Sequence, residues 1–148
     1  MIKGITAGCW DLCHAGHILM FKEAKKVCNY LVVCLQKDPS ITDKSYRGKK
    51  KNKPIMSMEE RRIILEGIKY IDEIIEYETE EDLYKIFEKR KDISVRIIGE
   101  DWRGKKFTGY DLPMKVYFNE RKHNYSTSEL RKRVFEAELS NNKEKVYE

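Results

Sequence analysis

A doubly wound α/β domain is what this sequence predicts, on three observations. Short apolar segments of strand length alternate with helical patterns along nearly the whole chain. Residues 30–35, Tyr-Leu-Val-Val-Cys-Leu, form an unbroken apolar run, as a strand covered on both faces requires. Two capping boxes, Ser57 to Glu60 and Ser126 to Glu129, start helices at the expected places. Alternation with right-handed crossovers gives a five-stranded parallel sheet with helices on both faces, a Rossmann-like arrangement. The chain of 148 residues can build one core, and no repeat or long linker divides it. We read residues 1–139 as one domain and 140–148 as a polar, frayed tail.

The elements follow in order. Residues 2–7 read as the first strand, and residues 16–28 as a helix with Ile18, Leu19, Phe21, Ala24 and Val27 inward. The apolar run at 30–35 is the second strand, followed by a basic loop. Ser57 caps a helix reaching about Tyr70. Residues 71–77 form a third strand, and residues 80–90 a helix facing inward through Leu83, Ile86 and Phe87. Residues 95–98 are the fourth strand, ending at Gly99-Glu100-Asp101, and residues 114–118 the fifth. The Ser126 capping box opens the last helix through Leu130, Val134 and Phe135.

Composition narrows the class. Charged residues are 37% and hydrophobic ones 41%, which describes a charged globular protein. The longest apolar run falls far short of the ~18 residues of a membrane helix, and the N-terminus lacks a signal core. The expectation is therefore a cytoplasmic protein without a membrane partner. Cys9, Cys13, Cys28 and Cys34 all lie early in the chain, where no disulfide would staple distant parts, so they read as reduced thiols. Cys9, Cys13, His14 and His17 also spell a conceivable zinc cluster, but structural zinc ligands usually come in two separated pairs. The expectation is no protein-held metal. The net charge of +5 is concentrated in Lys44, Arg47, Lys49, Lys50, Lys51 and Lys53 and in Arg131-Lys132-Arg133. Such patches suit an anionic partner, or simply a solvated loop.

Chemistry concentrates at His14-Ala15-Gly16-His17, where the first strand gives way to the first helix. A helix N-terminus there offers free N–H groups and a positive dipole end, which suit phosphate. In isolation the pair is equally compatible with histidines that merely cap a helix. In doubly wound sheets ligands lie beyond the carboxyl ends of the strands at a switch point. The histidines, Gly99-Glu100-Asp101 and the approach to Ser126 all fall at such ends and can share one crevice.

With these positions together the chain resembles the cytidylyltransferases of the HxGH nucleotidyltransferase superfamily, and among them the members that use glycerol 3-phosphate. Residues 8–17 match a family Gly-Thr-Phe-Asp followed by His-x-Gly-His, with Cys9 and Trp10 in place of Thr-Phe. Glu60-Arg61 leads to Lys69-Tyr70-Ile71-Asp72-Glu73-Ile74, like the family's Arg-Tyr-Val-Asp-Glu-Val with lysine for arginine. Gly99-Glu100-Asp101-Trp102 is similar to Gly-Asp-Asp-Trp. Arg121 followed by Ser126-Thr127-Ser128 is similar to Arg-Thr-x-Gly-Ile-Ser-Thr-Thr, although Lys122-His123-Asn124-Tyr125 replaces the part that approaches the base.

The resemblance implies transfer of a cytidylyl group from CTP to a phosphorylated small alcohol, releasing pyrophosphate. It implies that His14 and His17 stabilise the α-phosphate, assisted by Arg121 and by Lys51 or Lys53 from the basic loop. It assigns the nucleotide to Gly8, Cys9, Trp10, Asp11, Gly16, Gly99, Asp101, Arg121, Ser126 and Thr127, with Asp101 at the ribose. The acceptor falls to Lys53, Arg61 and Trp102. His123 is a base or acceptor contact, or a loop histidine. Magnesium (Mg²⁺) would arrive largely on phosphates and water. Two alternatives are an adenylyltransferase acting on a phosphorylated cofactor precursor, and a nonenzymatic nucleic-acid binder using the basic patches; the second leaves the histidines unexplained. Family members pair as homodimers, and the helix from Ser57 carries Ile63, Ile64, Leu65 and Ile68, a broader apolar band than one core stripe needs.

Overall fold

Five parallel strands lie in the order β3-β2-β1-β4-β5 in the computed structural model, which describes residues 1–43 and 51–147, the last five of these by backbone alone. The strands are β1 (Lys3–Gly8), β2 (Tyr30–Gln36), β3 (Glu73–Tyr77), β4 (Ile93–Gly99) and β5 (Lys115–Asn119). The helices are α1 (Ala15–Ala24), α2 (Pro39–Thr42), α3 (Met58–Glu66), α4 (Glu80–Lys89) and α5 (Thr127–Tyr147). The chain winds outward from β1 through β2 to β3, then returns to β4 on the other side of β1. That reversal between β1 and β4 is the switch point, and it parts the loops at their carboxyl ends. The doubly wound expectation holds.

Strand pleating explains the unbroken apolar run in β2. Leu31, Val33 and Leu35 point to one face, where they meet Phe21 and Ala24 of α1 and Leu65 of α3. Val32 and Cys34 point to the other, against Tyr77, Leu83 and Phe87 around α4. Helices on both faces leave no solvated side, so both registers of the strand must be apolar.

Several boundaries differ from the sequence reading. The first helix stops at Ala24, not Cys28, because its last turn tightens: the Lys26 N–H donates to Glu23 and that of Val27 to Ala24. The helix from Ser57 ends at Glu66, not Tyr70, since the Gly67 N–H takes the carbonyls of Ile63 and Ile64. The short α2 has an N-cap in Asp38 and proline at its first position, and the sequence reading left this stretch in the loop. A 3₁₀ turn, Glu100–Trp102, follows β4. The residues read as a frayed tail continue α5 to Tyr147, as no glycine or proline interrupts them. Lys44, Arg47, Lys49 and Lys50 of the basic run lie outside the described residues.

Candidate active site

The two histidines both cap α1 and face the crevice above β1 and β4. His14 is the N-cap: its Nδ1 accepts the Gly16 N–H at 3.0 Å, while the His14 N–H donates to His17 Nδ1 at 3.2 Å. This is a capping box built from imidazoles. Because each Nδ1 is an acceptor, each neutral ring carries its proton on Nε2. The rings stack with centroids 4.0 Å apart. Burial, then the neighbouring His14, pulls His17 down from its ordinary 6.5 to about 4. His14 is also lowered, by burial and then by His123 and Arg121. Both imidazoles therefore act near neutrality as uncharged N–H donors.

Gly16 is required here by space. A Cβ on it would lie 2.8 Å from the His14 ring and 3.0 Å from that of His123. Trp10 supports the pair from beneath: its ring meets His17 edge-on at 5.5 Å, its Nε1 donates to the Cys34 carbonyl at 2.9 Å, and its backbone takes a positive φ of 55°. The sequence reading assigned Trp10 to the nucleotide; the structure buries it among core residues while leaving it on the cleft wall.

A cleft of about 420 Å³ opens beside His17, walled by Gly8, Cys9, Asp11, Gly99, Asp101 and Thr127 among others. A second lobe continues past His14, Gly16, Arg121, His123, Tyr125 and Ser126. Asp101 borders both lobes, folded back over Gly99, where a Cβ would sit 2.6 Å from its Oδ1. The N-terminus of α5 closes the cleft. Ser126 caps it by accepting the Glu129 N–H at 3.0 Å, and Thr127 Oγ1 sits 3.1 Å from His14 Nε2. Arg121 bonds the Tyr125 carbonyl at 2.6 Å and remains exposed at the rim.

Three expectations change. Arg61, expected at the acceptor, is only 2% exposed, and its guanidinium is committed to main-chain carbonyls. It donates to Cys9, Gln36 and Lys37 at 2.6–2.9 Å and to Met56 and Ser57 at 3.2–3.3 Å. It clamps α3 to the ends of β1 and β2. Asp11 lines the cleft, but its carboxylate accepts the Ile55 and Met56 N–H groups at 2.8 and 2.9 Å, pinning the end of the basic loop. Lys51 and Lys53 do not line the nucleotide cleft: Lys51 pairs with Asp43 at 2.6 Å, and Lys53 is exposed between the cleft residues Asn52 and Pro54. Trp102, expected at the acceptor, lines both the cleft and a neighbouring cavity.

Two further residues join the site. His123, left open in the sequence reading, comes against Gly16. Arg131 lines the cleft 4.0 Å from Asp11. Its legible signal was spacing: four residues after Thr127, it lies on the same helix face. Among the described residues no group of three or more His, Cys, Asp or Glu is placed to hold a metal. The Cys9 and Cys13 thiols are pushed up by burial.

Residues 5–133 match the family described as cytidylyltransferase-like. The chain belongs to that family. It is a nucleotidyltransferase. A glycerol-3-phosphate cytidylyltransferase of Bacillus subtilis is 34% identical over 90% of this chain and 98% of its own length. An FAD synthase of Ferroglobus placidus is also 34% identical, over 94% of this chain and 74% of its own. Among solved structures, a lipopolysaccharide core biosynthesis protein of Thermoplasma volcanium superposes with a TM-score of 0.61 at 27% identity, covering 85% of this chain and 99% of its own.

Proposed function

We propose that this enzyme transfers a cytidylyl group from CTP to a phosphorylated small alcohol, glycerol 3-phosphate being the reference acceptor. The observation that carries the reading is the imidazole capping box, which ties up both Nδ1 atoms and sets two histidines on the crevice wall, His14 Nε2 3.1 Å from Thr127 at the N-terminus of α5. An acceptor phosphate oxygen attacks the α-phosphorus, the bond to the β-phosphate oxygen breaks in line, and pyrophosphate leaves with the electron pair. The protein's share is positioning and charge stabilisation. His14 and His17 donate to the non-bridging α-phosphate oxygens as they gain charge. Arg131 in the first lobe and Arg121 in the second neutralise the remaining phosphates. The first N–H groups of α5 add backbone donors.

The chemistry that magnesium supplies is neutralisation of the triphosphate. The residues fit a cation carried on the nucleotide, since Asp11 is committed to backbone N–H groups. The enzyme acts in the cytoplasm, where CTP is available; no helix among the described residues is long and apolar enough to cross a membrane. The deciding assay is pyrophosphate release from each of the four triphosphates against a panel of phosphorylated acceptors. Turnover with CTP and a polyol phosphate supports the reading. Turnover only with ATP moves it to adenylyl transfer, an alternative favoured by the likeness to an FAD synthase.

A further inference from the structure

The loop between the 3₁₀ turn and β5 contains a short segment gripped from below. Gly104 and Gly109 take positive φ values of 78° and 85°, the left-handed region open to glycine, and Lys105, Lys106, Phe107 and Thr108 lie between them. A Cβ on Gly109 would come 2.8 Å from the Phe87 ring of α4, so the second bend is also held by space. Thr108 is tied to two elements at once. Its Oγ1 donates to Glu80 in the first turn of α4 at 2.5 Å, and its carbonyl accepts from the Arg96 guanidinium of β4 at 3.3 Å. The guanidinium carbon of Arg96 lies 5.9 Å from the Phe107 ring centroid and 4.5 Å from that of Phe87, within cation–π range of both.

Packing alone does not explain this arginine. Arg96 is 7% exposed, pairs with no carboxylate among the described residues and leaves its Nε without a hydrogen-bond partner. An apolar side chain of similar size would fill the space without the cost of a buried charge. It could not donate to the Thr108 carbonyl or attract the Phe107 ring as a cation. The segment so held walls a second cavity of about 730 Å³ through Lys106, Phe107 and Thr108. That cavity shares Gly8, Cys9, Ile98 and Trp102 with the nucleotide cleft, so its wall borders the reacting phosphate. We propose that Arg96 is a positioning residue: together with Glu80 it fixes Thr108 and so sets the place of Lys106 beside the cleft. No ligand needs to touch Arg96, because the effect passes through the main chain of the loop.

The proposal rests on the transferase reading, in which a second substrate must approach that phosphate, and its test includes a readout independent of turnover. Trypsin cuts after Lys105 and Lys106 when the loop opens, at a rate that follows the open population if reclosing is fast. Losing a hydrogen bond to a charged partner raises that population by a factor of roughly 10–100. Arg96→Met and Thr108→Val should each speed cleavage at these lysines by about that factor. Thr108→Ser keeps the hydroxyl and should be cut at the wild-type rate. In steady-state kinetics with CTP, Arg96→Met and Thr108→Val should raise KM for glycerol 3-phosphate severalfold and leave KM for CTP unchanged, since apparent affinity falls with the gripped fraction. Unchanged cleavage in Thr108→Val, or KM values for both substrates that rise together, overturns the proposal. So does a loss of stability in urea with neither KM changed, which would make Arg96 a packing residue. If Arg96→Met does not fold, the contrast between Thr108→Val and Thr108→Ser decides. A wild type that turns over no CTP sinks the cytidylyl reading, while the cleavage rates, and the KM split with whichever triphosphate serves, still judge the grip.

Discussion

At the scale of the residue, His14 and His17 combine two roles that sequence reasoning set against each other. Each Nδ1 serves the helix cap, and the Nε2 of His14 meets Thr127 Oγ1 at the cleft wall, so capping orients the rings. Replacing either histidine with alanine should lower kcat by roughly 10²–10³ with little change in CTP binding, the signature of a donor used in the transition state. Steady-state kinetics alongside CTP calorimetry checks this; near-normal turnover in both variants would reduce the pair to a cap. A pH effect follows from His17. Its folded value of about 4 lies below the unfolded value near 6.5, so the unfolded chain takes up the proton first. The stability from a neutral His17 is full above about pH 6.5 and is lost as pH falls toward 4. Urea midpoints between pH 7 and 4 should fall less steeply in His17→Gln, which has no proton to gain there.

At the scale of the element, α3 is held to the sheet by a cation as well as by its apolar face. Arg61 reaches from its first turn to the carbonyls that end β1 and β2, tying the loops that wall the cleft. Arg61→Met leaves those buried carbonyls without donors, each worth ~1–3 kcal/mol. Urea unfolding should show a loss of at least about 3 kcal/mol on that count, and Arg61→Lys should recover only part, lacking the fork of donors. A large rise in acceptor KM with undiminished stability would return Arg61 to the substrate. The sequence could show the arginine and its place before an apolar helix. It could not show that five carbonyls converge there, because they come from three separate stretches of the chain, at strand ends and a loop.

At the scale of the molecule, apolar surface remains uncovered. Ile63 of α3 is 59% exposed, and α5 leaves Val134 and Phe135 60% and 67% exposed. The apolar surplus along α3 reads in the structure as an outward isoleucine, while Leu65 on the same helix is buried. A two-fold axis pairing such surfaces with their own copies would bury them, so we expect a homodimer. Light scattering at micromolar concentration should give twice the 17.7 kDa chain mass. A fully active species of single-chain mass rules the pairing out as a functional unit.

The doubly wound fold, the Ser57 capping box, the Ser126 N-cap and the histidine crevice were legible in the chain because each is written in local pattern. Alternating segments name the strands, serine and glutamate three apart name the helix starts, and a parallel sheet places its ligand at the strand ends by topology. What the tertiary structure alone decided is where long side chains spend their charges. Arg61 looked like a substrate ligand and is a clamp; Asp11 looked like a nucleotide contact and pins a loop. Arg96 drew no notice inside an apolar strand, yet lies buried between two phenylalanines with a donor unpaired. A charged group's role depends on which partners surround it in space, and those partners lie as far away as β2 from α3, a distance no local pattern encodes.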